Sequence, residues 1–464
     1  MIRPLRPLSG AQAGIWYAQQ LAPDSPIFRP GEYIEIHGPI DHSAFESALR
    51  QAVQETEALR VRFVEGPDGV GQYIGDTPEW RLVHLDVSAE SDPRASAEEW
   101  MRQDLRRPLD LRVDPPFSHA LFTVAPDRFL WYQGYHHIAM DGFGAAIFAR
   151  RVSELYNAIL RCCPTPTRTF GSLNALLDEE SAYLSSSEAS RDQRFWEQMF
   201  ADGAEPLTLG LRREADGADF RRATCSLTPA ETELVRLAAK RGGVSLARFV
   251  IAATAAFMHA ATGNDEVLLD LPVTGRTTEL ARSVPGVMVN VLPLRVPILG
   301  NLRVSELIGQ VSAGVKDVLR HQRHRGEALR NRLGGLKSFG PQINVMAFDY
   351  SLDFGGHPAT AHNISYRRID DLSIAVYDRS GDSPLRIDFD INNSLSNEDT
   401  PAVDVDRFAR LLCDMAAAGE TDLPVSRLSI LSAVERRRLV HDWNETAHAT
   451  PCTTPSALFQ QQAE

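Results

Sequence analysis

Apolar and polar positions along this chain alternate between two periods, and the switches between them mark out its elements. Tyr33 to Ile36 reads as a strand, Asp41 to Glu57 as an amphipathic helix and Leu59 to Phe63 as a second strand, an α/β start with a crossover. From Asp127 to Gly134 a further strand is predicted, apolar or aromatic on both parities at Phe129 to Tyr132, as in a strand covered on both faces. Directly after it Phe143, Ala146, Ile147, Val152, Leu155, Tyr156 and Ile159 recur at helical spacing. The alternation then repeats: a helix through Phe195 to Phe200, a strand Cys225 to Leu227, a helix Thr228 to Arg241, an apolar helix from Ser245 and a strand Glu266 to Leu271. Leu385 to Ile391 has period two, with Leu385, Ile387, Phe389 and Ile391 on one face, and Asp404 to Ala418 is helical. No fixed short period runs through the chain, which excludes solenoids and propellers.

The segment Cys163 to Ser172, with two prolines, a glycine and four Thr or Ser, breaks this pattern and divides the chain near residue 170. At 464 residues and 43% hydrophobic, the chain can bury a large core and has room for two or three domains. From Ser426 onward the residues change character, with the charged run Glu435 to Arg438, then Asp442 to Thr446. Ala457 to Glu464 ends inside a helical pattern, as an excised piece of a longer protein would.

A formal charge of -13 with no basic stripe argues against a nucleic-acid-binding surface. Cys162, Cys163, Cys225, Cys413 and Cys452 form no CxxC pair and are odd in number, so neither a zinc site nor a disulfide framework is indicated, and reduced thiols in a cytosol fit best. The first residues lack the cationic and apolar regions of a signal peptide. The apolar stretch Leu246 to Ala261 carries Arg248 and His259 and reads as a buried core helix instead of a membrane span.

Candidate chemistry sits where the 127–134 strand meets the following helix: Tyr135-His136-His137-Ile138-Ala139-Met140-Asp141-Gly142. If the strand runs through both histidines, they point to opposite faces and only one can serve a given site. A histidine at a strand end is also a common packed, hydrogen-bonded residue, and Asp141 equally fits a plain helix N-cap.

Read with the rest of the chain, these residues resemble the condensation domains of nonribosomal peptide synthetases, members of the chloramphenicol acetyltransferase-like acyltransferases. The resemblance rests on motifs in order: Leu8 to Trp16, Ala58 to Phe63, His136 to Gly142, Gly275-Arg276, Pro285 to Pro293 and His321-Gln322. It is strongest toward siderophore synthetase modules such as the enterobactin serine module. It implies an α/β fold of two chloramphenicol acetyltransferase-like lobes, a V-shaped pseudo-dimer over a central tunnel. Residues 1–170 would form the first lobe, 171–425 the second, and 426–464 a linker and the start of an adenylation domain. The stretch Pro285 to Pro293 would be a floor loop bridging the lobes, with Asn290 beneath the tunnel, and a segment between about Phe348 and Leu372 would hold or adjoin a latch.

The implied reaction transfers an acyl or peptidyl donor to the α-amine of an aminoacyl acceptor. Both arrive on phosphopantetheine arms of upstream and downstream carrier proteins, with no metal, no permanently bound cofactor, no nucleic acid and no membrane. Because a thioester is already activated, no protein nucleophile is required, which agrees with the absence of a Ser-His-Asp signature. By resemblance His137 is the catalytic histidine, His136 is structural, Asp141 pairs with Arg276 to hold the loop, and Gly142 allows close backbone approach with its amide facing the reacting centre. One departure is Gly144, where many members carry Ser. Two rivals remain open: a free-standing acyltransferase using a soluble thioester, and a noncatalytic recruitment module of the same fold.

Overall fold

The computed structural model describes residues 4–67, 69–164, 170–203, 206, 220–336, 338–346, 352–365, 371–378, 384–392, 400–418, 421–447 and 453–463. Two six-stranded sheets organise them. The first runs, edge to edge, Leu352–Phe354, His357–Asn363, Gly31–Ile36, Arg128–Tyr135, Phe117–Ala125 and Val83–Asp86. The second runs Asn290–Pro297, Glu266–Val273, Gln342–Met346, Leu372–Tyr377, Arg386–Asn392 and Phe220–Ser226.

The doubly apolar strand behaves as its sequence predicts. Phe129 and Trp131 pack with the helices His42–Glu55 and Gly142–Leu160, while Leu130 and Tyr132 meet the helix Pro93–Arg106 on the opposite face. Helix starts follow local side-chain chemistry: Asp41 accepts the Ala44 amide at 2.8 Å, Ser245 caps the apolar helix Leu246–Thr262, and Thr228 forms a reciprocal capping box with Glu231. Every residue from Phe249 to Met258 is buried, so this helix is the centre of the second core. Among the described residues no single helix is long and apolar enough to cross a membrane.

The predicted opening crossover is not formed. Strand Gly31–Ile36 and helix His42–Glu55 are present, but the next strand begins only at Val61, after a short 3-10 turn Glu57–Arg60, and belongs to a separate sheet. There Val61–Gly66 pairs with Gly69–Ile74, which also takes Arg6–Pro7. The tight hairpin places Gly69 at φ +109°, open to glycine, and the strand pairs with its neighbour in sequence instead of with the first sheet.

Strand membership also departs from a division at residue 170. The hairpin Leu352–Phe354 with His357–Asn363 pairs antiparallel with Gly31–Ile36 and completes the first sheet, although its sequence position assigns it to 171–425. Phe354 is fully buried against Phe45, Trp131 and Tyr156, and the Asp353 carbonyl accepts from Ser153 Oγ at 2.5 Å and Asn157 Nδ2 at 2.7 Å. This crossing hairpin lies within the segment expected to hold the latch; positions 348–351 and 366–370 of that expectation lie outside the described residues, as do 165–169 of the expected connection and Cys452. The helix Leu173–Leu184 spans the two halves: Leu173 enters the first core, while Glu179 accepts from Thr278 Oγ1 at 3.0 Å.

The alternation at Leu385 to Ile391 reflects two buried faces. Ile387, Phe389 and Ile391 join the core, whereas Asp388 and Asp390 on the other face are also fully buried and take ion pairs, Asp390 from Arg222 at 2.6 Å and Asp388 from Arg386 at 2.9 Å.

Candidate active site

Strand Arg128–Tyr135 ends one residue before the histidines, so His136 and His137 lie in the turn that leads to helix Gly142–Leu160, and strand alternation does not govern them. Their backbone is nonetheless fixed: the His136 amide donates to the Pro116 carbonyl at 2.7 Å and the His137 amide to the Phe28 carbonyl at 2.7 Å. The two rings then part company. His136 is 1% exposed; its Nδ1 accepts the Ile138 amide at 3.2 Å, so Nε2 carries the hydrogen and donates to Gln19 Oε1 at 3.3 Å. Burial, followed by the neighbouring charges of His137 and Arg29, lowers its pKa to about 3, which keeps it neutral. His137 is half-buried, and its Nδ1 is shielded from solvent without a hydrogen-bond partner. That nitrogen is closed to substrate and water alike; the ring's other nitrogen, Nε2, is not enclosed in this way and takes no hydrogen bond within the described residues, so it is the one a substrate can reach.

Asp141 is 4% exposed and committed to structure. One carboxylate oxygen accepts the Gly144 amide at 2.8 Å as the helix N-cap and Arg276 Nη2 at 2.8 Å; the other accepts the amides of Met288 at 2.8 Å and Val289 at 3.0 Å. Asp141 thus caps the helix and pairs with Arg276 at once. Arg276, also 4% exposed, donates further to the carbonyls of Ala281 at 2.8 Å, Val284 at 3.2 Å and Gly286 at 2.9 Å, with its guanidinium 4.7 Å from the Phe143 ring centroid. These bonds tie the helix start to the loop 284–289, which comes from the other half of the chain.

Gly142 makes no close contact with the rest of the chain. It is exposed, and a Cβ added there would meet nothing within 4 Å, so no close backbone approach demands glycine at that position. The close approach is at Gly144, where an added Cβ would lie 2.9 Å from both the nitrogen and the oxygen of Gly286. Only the departure from the expected Ser hinted at this, because the crowding backbone lies far along the chain.

Asn290 opens strand Asn290–Pro297 and spends its whole amide on its surroundings. Nδ2 donates to the carbonyls of Gln322 at 2.9 Å and His324 at 2.7 Å, and Oδ1 accepts the amides of Val291 at 3.0 Å and Gly326 at 2.9 Å. The His321-Gln322 pair is likewise structural: His321 Nδ1 lies 2.7 Å from Asp192 with its ring stacked on Phe195 at 4.0 Å, and Gln322 Oε1 accepts the Gly275 amide at 3.1 Å. A cavity between the halves is walled by Ile138 and Ala139 of the turn, Gly286, Val287 and Met288 of the loop, and Leu177. Among the described residues no three His, Cys, Asp or Glu side chains converge as metal ligands would.

Comparison with known proteins agrees with this geometry. The condensation-domain profile matches residues 4–440. The chain is 42% identical over 460 residues, 98% of its length, to a dimodular nonribosomal peptide synthase of Bacillus subtilis, and 30% identical over 98% of its length to enterobactin synthase component F of Escherichia coli O157:H7. It spans 19% and 36% of those two proteins. The starter condensation domain of rhizomide synthetase superposes with a TM-score of 0.86 at 37% identity, covering 92% of this chain and 98% of that one. The two-lobed α/β arrangement is thus the fold of that domain, and with a profile match across nearly the whole sequence this chain belongs to the condensation-domain family of nonribosomal peptide synthetases.

Proposed function

We propose that the chain joins an acyl or peptidyl group, held as a thioester on an upstream carrier protein, to the α-amine of an aminoacyl thioester on a downstream carrier. The amine nitrogen forms a bond to the thioester carbonyl carbon, the carbon–sulfur bond breaks, and the proton lost by nitrogen balances the one gained by the departing thiol. The observation that carries this reading is the division of labour in the turn: His136 and Asp141 are spent on internal hydrogen bonds, whereas the half-buried His137 ring makes no side-chain hydrogen bond to the described residues and its Nε2 is not enclosed.

His137 accepts the proton of the cationic nitrogen formed on attack or holds the amine by a hydrogen bond. A free α-amine has a pKa of about 7.7 to 8.0, so roughly a tenth is neutral at pH 7 and its first deprotonation is not the obstacle. Alignment of two tethered substrates is the larger contribution, since oriented reactions reach effective molarities of about 10⁵ to 10⁸ M. Asp141 and Arg276 act by holding the floor loop, and Asn290 by tying its end to residues 322–326. Gly142 contributes only through its amide, in the first turn of a helix, where N–H groups have no partner within the helix.

In this reading the lobes are 1–170 and 171–425 with the hairpin exchanged between them, meeting over the tunnel, and 426–464 leads into an adenylation domain. The phosphopantetheine arms of the two carriers deliver the substrates, and the work is done in the cytoplasm. Likeness to enterobactin synthase component F supports a siderophore product. A second reading concerns the donor: the rhizomide starter domain was solved with C8-CoA and Leu-SNAC, which favours a fatty acyl donor here, taken from a soluble thioester.

Intact-protein mass spectrometry of loaded carriers, with the wild-type chain and His137→Ala, tests the proposal. Donor mass should move to the acceptor carrier, and the variant should lose about 10² to 10⁴-fold in rate while still binding carriers. No transfer across a broad panel, with carrier binding intact, would favour a recruitment module. Transfer from acyl-CoA but not from an acyl carrier would establish the second reading.

A further inference from the structure

We infer that Arg29 is a positioning residue for His137, acting through the Phe28 carbonyl. The inference rests on the proposed condensation reading and adds to it the group that sets where the histidine stands. Pairing between strands Gly31–Ile36 and Arg128–Tyr135 is regular as far as Gly31 opposite Gly134. Beyond that point two bonds carry it on: the Tyr135 amide donates to the Pro30 carbonyl at 3.0 Å and the His137 amide to the Phe28 carbonyl at 2.7 Å. On the other side the His136 amide donates to the Pro116 carbonyl at 2.7 Å, one residue before strand Phe117–Ala125 begins. The histidine turn is therefore held between two rails, 28–30 and 116–118, and all three contacts fall just outside regular strand.

Arg29 stands between the two carbonyls of the first rail and is 2% exposed. Its guanidinium reaches the C-terminal end of helix Pro93–Arg106. There Nη1 donates to the carbonyls of Asp104 and Arg107, the latter at 3.0 Å, and Nη2 to Asp104 Oδ2 at 3.1 Å. A helix leaves its last carbonyls without partners inside the helix and favours a cation beside them. Nη2 donates a fourth bond to Ser118 Oγ at 3.2 Å, on the second rail. Asp104 Oδ2 also accepts from Ser118 Oγ at 2.5 Å and from Tyr132 Oη at 2.9 Å. One buried fork thus ties the first rail to the second and both to the helix behind the sheet.

The backbone of 28–30 has little else to hold it. The Arg29 amide is spent on the Pro26 carbonyl at 2.9 Å, closing the short 3-10 turn Pro26–Phe28, and Pro30 has no N–H to give. The side chain at 29 is what keeps the neighbouring Phe28 carbonyl where the His137 amide meets it. Without the guanidinium the first rail loosens and the imidazole moves with it. A misplacement of about 1 Å at a reacting group can cost about 10²-fold in rate.

A double-mutant cycle tests this, with an octanoyl-carrier donor and alanyl- and phenylalanyl-carrier acceptors. In Arg29→Met kcat should fall about 30-fold while KM for both carriers stays within about twofold of wild type. Arg29→Lys, which keeps a charge beside the helix carbonyls, should lose only about fivefold. In a His137→Ala background Arg29→Met should cost no further rate, because the residue through which it acts is gone. Hydrogen-exchange mass spectrometry of Arg29→Met without substrate should show amides at 135–138 exchanging about tenfold faster, with helix His42–Glu55 unchanged. An equal rate loss with and without His137 overturns the inference, and so does a raised KM at unchanged kcat. If Arg29→Met does not fold, Arg29→Lys decides by the same comparison. If the wild-type chain transfers no donor to either acceptor, the condensation reading falls and the rate comparison with it; faster exchange at 135–138 would still show Arg29 holding the turn, and unchanged exchange would overturn that too.

Discussion

Replacing Asp141 with Asn should unfasten the loop before it touches the chemistry. The carboxylate accepts four hydrogen bonds, two per oxygen, and the amide that replaces it offers one oxygen and one NH2. Whichever way the amide turns, two donors face a donor. If the oxygen stays toward Gly144 and Arg276, the buried amides of Met288 and Val289 are left unpaired, at about 1 to 3 kcal/mol each. Arg276, whose side chain is 1% exposed, also loses its counter-charge. Breaking a buried ion pair from one side typically costs about 3 to 5 kcal/mol, and the carbonyls of Ala281, Val284 and Gly286 still hold the guanidinium, so the lower half of that range applies. Urea denaturation followed by tryptophan fluorescence measures the loss, and hydrogen exchange places it at 284–289. Adding Arg276→Met should recover part of the stability, since no buried charge is then left alone. A stability loss below about 1 kcal/mol combined with complete loss of condensation would refute the reasoning and make Asp141 a chemical participant.

Three further outcomes follow from the same structure. Burial lowers the pKa of His119 to about 3, whereas an unfolded imidazole titrates near 6.5, so between those values the unfolded chain binds more protons and stability falls as pH falls. In His119→Phe, which keeps a ring stacked on Phe148, the stability lost between pH 7 and pH 4.5 should be smaller than in wild type; an equal loss by urea titration at the two pH values would contradict this. Asn290→Ala leaves the carbonyls of Gln322 and His324 and two amides without their partner, and should cost about 2 to 4 kcal/mol with faster exchange at 322–326. Phe354→Ala should cost about 3 to 5 kcal/mol and raise exchange along both His357–Asn363 and Gly31–Ile36; protection lost only in the hairpin would show that the two strands do not stand together.

What could be read from the sequence was what is local. The strand through Phe129 to Tyr132 and the helices from Asp41, Thr228 and Ser245 announce themselves by period and cap, because the groups that stabilise them lie within a few residues. The His136 to Gly142 turn was legible for the same reason, and the pairing of Asp141 with Arg276 came through family likeness. Pairing choices were not legible. Val61–Gly66 carries a strand pattern that fits either sheet, and a nearby hairpin partner decides the matter. Asp388 and Asp390 look like a solvent face until Arg222, about 165 residues away, is brought beside them. The glycine that matters sterically is Gly144 and not Gly142, and only the loop packed against it reveals which one is crowded.

The exchanged hairpin imposes an order of assembly. Until residues 352–363 have been synthesised, Gly31–Ile36 is an open edge with unpaired N–H and C=O groups and neighbours rich in apolar side chains, the condition that invites pairing with another chain. The first lobe therefore waits, incomplete, through the synthesis of most of the second, and its closing strand is also a tie between the halves. A fragment ending near residue 170 should aggregate where the intact chain does not, and adding a 352–363 peptide to it should restore solubility.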